Sequence, residues 1–350
     1  MTVTRSLIAA TSNPLLEQAL REKLKRRGET VGNLGELESL AVRLGMVQNS
    51  LKPRFRQPQI VMFAADHGMA VDGIGAVPRQ STAKQVQQLL TGQLPVSVFA
   101  RIQGLELTVV DAGVAEPVTP HARLMARKIA HGTRNPRVSS AMTVEQAHAA
   151  IRAGMEIADA LPGNVFVCAG IGIGADVSAA LVISRLSDRP IRELLVSGPA
   201  MKQDDLAHLL AITHGAQSRH RDVTDPVEVL AAFGGFEVAM MTGLMLVAAS
   251  KRHLLVVDGL PACAALMVAA HISLTVTDYC VFSRSHSHHG LDHVLRSFKA
   301  TPLLELGMES SDGTGASLAW PLIRSAAALL TEVAEGEDPG PSIPLDFATR

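Results

Sequence analysis

Aromatic residues make up only 3% of the chain, with a single tryptophan, Trp320, and a single tyrosine, Tyr279. The interior must therefore be filled by Ala, Val, Leu, Ile and Met, which suits helices laid against a buried parallel sheet. The same scarcity leaves no aromatic platforms on which bases could stack, and a net charge of -1 offers no basic footprint for a phosphate backbone. Nucleic acid is thereby excluded as an expected partner. Cysteine is sparse too: Cys168, Cys263 and Cys280 are far apart and form no C-x-x-C pair, which fits a reducing compartment better than a disulfide framework. Long apolar runs are missing; the stretch Val238–Ala249 is too short to span a bilayer. The N-terminal region carries Arg5, Arg21, Lys23, Lys25, Arg26 and Arg27 but lacks the apolar block and small-residue cleavage site of a secretion signal. A cytoplasmic protein with no membrane partner is the expectation.

What the chain has in quantity is aliphatic residues. Hydrophobic residues reach 47% of 350, enough for a large α/β unit with a smaller helical part. Helical periodicity runs through 14–49, marked by Leu15, Leu16, Ala19, Leu20 and Leu24, then by Leu37, Leu40, Ala41 and Leu44. Asn13 before Pro14 has the form of an N-cap and first-turn pair. A basic linker with prolines at 53 and 58 leads to a buried strand, Ile60–Ala65. Further short apolar strands are expected at Leu105–Asp111, Asn164–Ala169, His253–Asp258 and Asp278–Ser283. Helices are expected at Ser81–Leu90, Val144–Ala160, Asp176–Leu186, Asp204–His214, Pro226–Ser250, Pro261–His271 and Gly290–Lys299, with a last Ala/Leu-rich helix over 313–334. Continuously apolar strands separated by helices predict an α/β fold, a doubly wound parallel sheet flanked by helices. The acidic, Pro/Gly-rich segment 335–350 reads as a flexible tail.

The special residues fall at the ends of strands. Asp66-His67-Gly68, Gly170–Asp176, Asp258-Gly259 and Ser283–His289 all follow one, and the carboxyl ends of parallel strands gather at the sheet edge where ligands bind. The Gly-rich turn Ala169-Gly-Ile-Gly-Ile-Gly-Ala-Asp176 lies between a strand and a helix. Its glycines would let backbone N–H groups approach a phosphate, with the helix N-terminus adding a favourable dipole. Such turns also exist for close packing alone, with Asp176 a plain N-cap. The spacing is not the dinucleotide fingerprint, and no P-loop Lys-Ser/Thr follows.

Taken together, the blocks become specific. Phe63-Ala-Ala-Asp-His-Gly68 leads into Thr82-Ala-x-x-Val86. Asp225-Pro-Val-Glu-Val-Leu-Ala-Ala-Phe-Gly-Gly-Phe-Glu-Val-Ala239 follows, then Val257-Asp-Gly259, Ser285-His286 with His293, and Asp312-Gly-Thr-Gly-Ala316. In order and spacing they resemble the nicotinate-nucleotide:dimethylbenzimidazole phosphoribosyltransferase family, over about 14–332. The resemblance implies a large domain over 60–300, a small helical domain from 1–59 plus 301–334, and a homodimer. It also implies the reaction: ribose phosphate passes from nicotinate mononucleotide to a nitrogen of a benzimidazole-like base, with no metal and no cofactor. The base position falls on Asp312. The donor and phosphate side falls on Gly170, Gly172, Gly174 and Asp176, on Ser197, Gly198 and Lys202, on Ser285, His286 and Ser287, and on Gly313 and Thr314. The acceptor side falls on Asp66, His67, Lys84 and Glu237.

Several positions depart from the family pattern. The family's Glu before Gly-Thr/Ser-Gly-Ala is Asp312 here, one methylene shorter, with Glu309 on the same turn as a substitute. Asp312 also has the form of an N-cap, so capping and proton transfer compete for the same oxygens. In the Gly-rich turn the family's Glu, Asn and first Thr become Gly170, Ala175 and Asp176, and an acid beside a phosphate repels it unless it points away. Lys84 replaces a Gln and suits an acidic or phenolic acceptor, or is simply a solvated lysine. Lys202 offers a substitute for the family's downstream Lys or is merely exposed. The family's Arg in the Ser-His turn gives way to Ser285-His-Ser-His-His-Gly-Leu-Asp-His293. His286, His288, His289, His293 and Asp292 there invite a metal reading, against a polar turn lining the cleft. A nucleotide- or base-binding relative without full activity, or one using another acceptor, is the alternative to the enzyme.

Overall fold

The computed structural model describes residues 7–26, 32–74, 80–195, 201–285, 289–308 and 312–334. Its strands are β1 (Gln59–Ala65), β2 (Glu106–Gly113), β3 (Leu124–Ala126), β4 (Val165–Ile171), β5 (Leu254–Val257) and β6 (Cys280–Phe282). They form one sheet in the order β3-β2-β1-β4-β5-β6, with every neighbouring pair parallel. This is the doubly wound α/β arrangement expected from the sequence. Both β1 and β4 are buried at every residue, which is why they read as unbroken apolar runs. From β1 the winding proceeds one way to β3 and the other way from β4 to β6. The reversal opens a crevice beyond the carboxyl ends of β1 and β4, the usual ligand position in such sheets.

Local signals explain most of the helices. Val144–Ala160 opens with a full capping box between Thr143 and Gln146. Pro14–Leu24 is capped by Asn13, whose Oδ1 accepts from the Leu16 N–H at 3.1 Å. Strand β3 was not anticipated because three edge residues, two half-exposed and one exposed, carry no periodicity. The helix Pro95–Gln103 was also not anticipated.

One expectation is corrected. The segment 226–250 is two helices, Pro226–Phe233 and Phe236–Ser250, separated by Gly234 and Gly235 in extended conformation. The backbone folds so tightly there that a Cβ on Gly234 would lie 2.5 Å from Leu230 Cδ1, and one on Gly235 would lie 2.1 Å from Glu237 Oε2. Apolar residues surround both helices, so periodicity runs through the break without registering it.

The described residues within Met1–Ala10 and Phe55–Trp320 form one compact unit, and those within Thr11–Arg54 and Pro321–Arg350 form another. Residues 301–320, grouped from the sequence with the smaller domain, thus fall in the larger unit. Their backbone is bound there by Arg284 and Asp258, at Met308 and Ala316. Among the described residues no helix is long and apolar enough to cross a membrane. The segment 335–350 lies outside the described residues.

Candidate active site

The rim of the crevice is tied together by one carboxylate. Asp66, directly after β1, accepts the Thr82 hydroxyl on Oδ1 and the Ala115 N–H on Oδ2, the latter at 2.8 Å. Thr82 opens the helix Thr82–Leu90 and its Oγ1 in turn accepts the Ile173 N–H at 3.2 Å. The turns after β1, β2 and β4 are therefore linked through two side chains. Gly172 is required by close approach: a Cβ there would sit 1.7 Å from the Ala65 carbonyl oxygen. Gly174 N-caps the helix Ala175–Ser187 at φ +91°, a left-handed conformation that L side chains rarely adopt.

Beneath this rim lies a buried ion pair. His67 Nε2 approaches Glu237 Oε1 to 3.0 Å, with side chains only 2% and 0% exposed. The ring N–H is poorly aligned with the carboxylate, and among the described residues neither Glu237 oxygen has a hydrogen-bond partner. Burial pushes the imidazolium pKa down, but the negative charge of Glu237, helped by Asp66 and Asp176, outweighs it and raises the pKa above 6.5. Glu237 reaches His67 because the Gly234-Gly235 break places it in the first turn of Phe236–Ser250. Gly170 belongs to the same neighbourhood: a Cβ there would meet Met241 Cε at 3.0 Å and Glu237 Cγ at 3.4 Å. Asp176 is exposed in the first turn of its helix.

A second buried cluster stands at the ends of β5 and β6. Asp258 Oδ1 accepts Ser283 Oγ at 3.0 Å and Arg284 Nε at 2.8 Å, while Oδ2 accepts the Ala316 N–H at 3.1 Å. Arg284 also donates from Nη1 to the Met308 carbonyl at 2.7 Å. The side chains of the pair are 1% and 0% exposed. Gly315 makes room, since a Cβ on it would lie 2.3 Å from Arg284 Cδ. Between Met308 and Ala316 stands Asp312. Its Oδ1 accepts the Thr314 N–H at 3.1 Å and the Thr314 hydroxyl at 2.5 Å, so this oxygen holds the start of the helix Thr314–Ala328. Gly313, at φ +82°, packs where a Cβ would meet Ala169 Cβ at 3.3 Å.

The strand ends therefore bring Asp66, His67, Glu237 and the Gly170–Gly174 turn together, and set Gly313 against the strand that feeds that turn. Lys84 and Lys202 are exposed, the first in the opening turn of Thr82–Leu90 and the second at the N-cap of Gln203–Arg219. Ser285 donates its backbone N–H to the Leu304 carbonyl at 2.9 Å. Ser197, Gly198, His286 and Ser287 lie outside the described residues, as do Glu309 and His288. His293, from the same His-rich stretch, has Nδ1 3.6 Å from Glu193 Oε2. Among the described residues no three His, Cys, Asp or Glu side chains gather to hold a metal ion. Sequence reasoning passed over Arg284 altogether. The only signal was a lone Arg at the end of a strand, one strand along the sheet edge from the Asp258 that ends its neighbour.

A family model described as "Phosphoribosyltransferase" (DBI_PRT) matches residues 10–340. Similar curated proteins include the nicotinate-nucleotide–dimethylbenzimidazole phosphoribosyltransferase of Cupriavidus taiwanensis, 42% identical with 92% of each chain covered. The protein of the same name from Janthinobacterium sp. is 34% identical, with 94% of this chain and 96% of that one covered. Among solved structures, CobT from Thermus thermophilus is 30% identical and superimposes with a TM-score of 0.85 over 91% of this chain and 96% of its own.

Proposed function

The chain belongs to this phosphoribosyltransferase family, and on that premise we propose that it transfers the ribosyl phosphate of nicotinate mononucleotide to a nitrogen of 5,6-dimethylbenzimidazole. Nicotinate leaves and the nucleotide of the cobalamin lower ligand is formed. The donor carries a cationic pyridinium, so its C–N bond breaks without acid assistance. The protein must anchor the phosphate, place the acceptor nitrogen beneath the ribose and take up the acceptor's N–H proton.

Asp312 is the base in this reading. The observation that supports it is the packing of its neighbour Gly313 on Ala169, the residue immediately before the Gly170–Gly174 turn, which brings the backbone next to Asp312 close to the end of β4. The donor phosphate is received by that turn together with Gly313 and Thr314. Lys202, Ser285, Ser197, Gly198, His286 and Ser287 belong to the same side. Asp176 is exposed, so its charge can stay in water when the phosphate binds. On the acceptor side Asp66 fixes the rim, while His67 and Glu237, being buried, shape the floor beneath the base; Lys84 stands at its margin. The assembly is a homodimer.

The test is nicotinate release from nicotinate mononucleotide with 5,6-dimethylbenzimidazole present. Asp312→Asn is expected to lower kcat by about 10²–10⁴-fold with circular dichroism unchanged. A wild-type protein that releases no nicotinate would sink the assignment.

A further inference from the structure

We infer that Arg284, held by Asp258, is a positioning residue that clamps the segment carrying Asp312 from both sides. The inference rests on the reading of Asp312 as the base. Arg284 Nη1 binds the Met308 carbonyl at 2.7 Å, four residues before Asp312. Asp258 Oδ2 binds the Ala316 N–H at 3.1 Å, four residues after it. The two halves of the clamp are joined to each other by the Nε contact to Asp258 Oδ1 at 2.8 Å. Both side chains are out of water, so the joint is rigid and unscreened. Ser283 contributes a further hydrogen bond to the same Asp258 oxygen at 3.0 Å, anchoring the clamp to the end of β6.

The architecture makes this more than a structural bond. Asp312 has a short side chain, and proton transfer requires heavy-atom contacts of about 2.6–3.2 Å. A segment free to drift by roughly 1 Å would take its carboxylate out of range. Thr314 fixes the carboxylate locally through Oδ1, but Thr314 moves with the same segment. The clamp refers the segment to the sheet by hydrogen bonds at the ends of β5 and β6, beside the packing of Gly313 on Ala169. Gly315 belongs to it by exclusion, since any side chain there would strike Arg284.

Three variants test the clamp: Arg284→Lys, which keeps the charge but not the two-sided reach; Gly315→Ala, which pushes the guanidinium aside; and Asp312→Asn. Nicotinate release is measured for each, with circular dichroism to confirm folding. The clamp predicts that Arg284→Lys and Gly315→Ala each lose at least tenfold in kcat while KM for nicotinate mononucleotide stays within threefold. If Arg284→Lys does not fold, Gly315→Ala decides. A merely structural role would lower thermal stability and leave kcat of the folded variant alone. Folded variants with kcat within threefold of wild type, beside an inactive Asp312→Asn, overturn the clamp and leave the base assignment standing. Asp312→Asn at the wild-type rate overturns the base assignment, and the clamp with it, whatever Arg284→Lys does.

Discussion

At the scale of single residues, the buried His67–Glu237 pair sets the electrostatics beneath the crevice. The two charges are 3.0 Å apart but poorly aligned, so the attraction is coulombic rather than that of a good hydrogen bond. Removing one partner of such a pair leaves the other buried without compensation, at a cost of about 3–5 kcal/mol, and the poor alignment favours the lower end. Glu237→Gln should therefore destabilise the protein by about 3 kcal/mol in urea unfolding near neutrality. Because the folded His67 pKa is raised above 6.5, its contribution is fully present below pH 6.5 and is lost as pH rises through the folded value. The gap between wild type and Glu237→Gln is thus expected to be widest at or below pH 6.5 and to shrink as the solution becomes alkaline; a constant gap would refute the charge on His67. His253 runs the other way: burial first, then Lys251 and Arg56, bring its pKa down to about 4, so its contribution is lost as pH falls from 6.5 towards 4. Asp66, His67 and the glycine turn were legible in the sequence because strand ends announce themselves as polar or Gly-rich interruptions of apolar runs. Arg284 was not. Its partner lies 26 residues away, and only the pairing of β5 with β6 brings the two together.

At the scale of secondary-structure elements, the same contrast appears. Helices with caps, such as Val144–Ala160, were readable to the residue, since Thr143 and Gln146 write their start in the sequence. The break at Gly234-Gly235 was not, because residues buried on every side give no periodicity to interrupt. The break nonetheless decides the site, for a continuous helix would carry Glu237 in its interior instead of in a first turn facing His67. The Gly170–Gly174 turn offers the sharper test. Gly172→Ala would drive a Cβ to within 1.7 Å of a backbone oxygen of β1, which no rotamer change relieves. We expect a loss of about 3 kcal/mol or more in urea unfolding. A variant of wild-type stability would mean that the turn does not press against the end of β1.

At the scale of the whole molecule, the winding order places the described turns after β1, β4, β5 and β6 at one edge of the sheet, and this much followed from alternation of apolar strands and helices alone. Quaternary structure did not follow from it. Val71 and Val138, sequence neighbours of the paired Asp72 and Arg137, are 83% and 68% exposed. A homodimer should sediment at twice the 37.0 kDa chain mass at micromolar concentration, and a species of 37.0 kDa would exclude it. The bridge from Asp66 through Thr82 to Ile173 has an evolutionary corollary. A lineage that trades Thr82 for an apolar residue strands a half-buried acid one donor short and releases the amide of Ile173 as well. Change at 82 is then expected to be matched by change at 66, because the two side chains together join the loops of three strands.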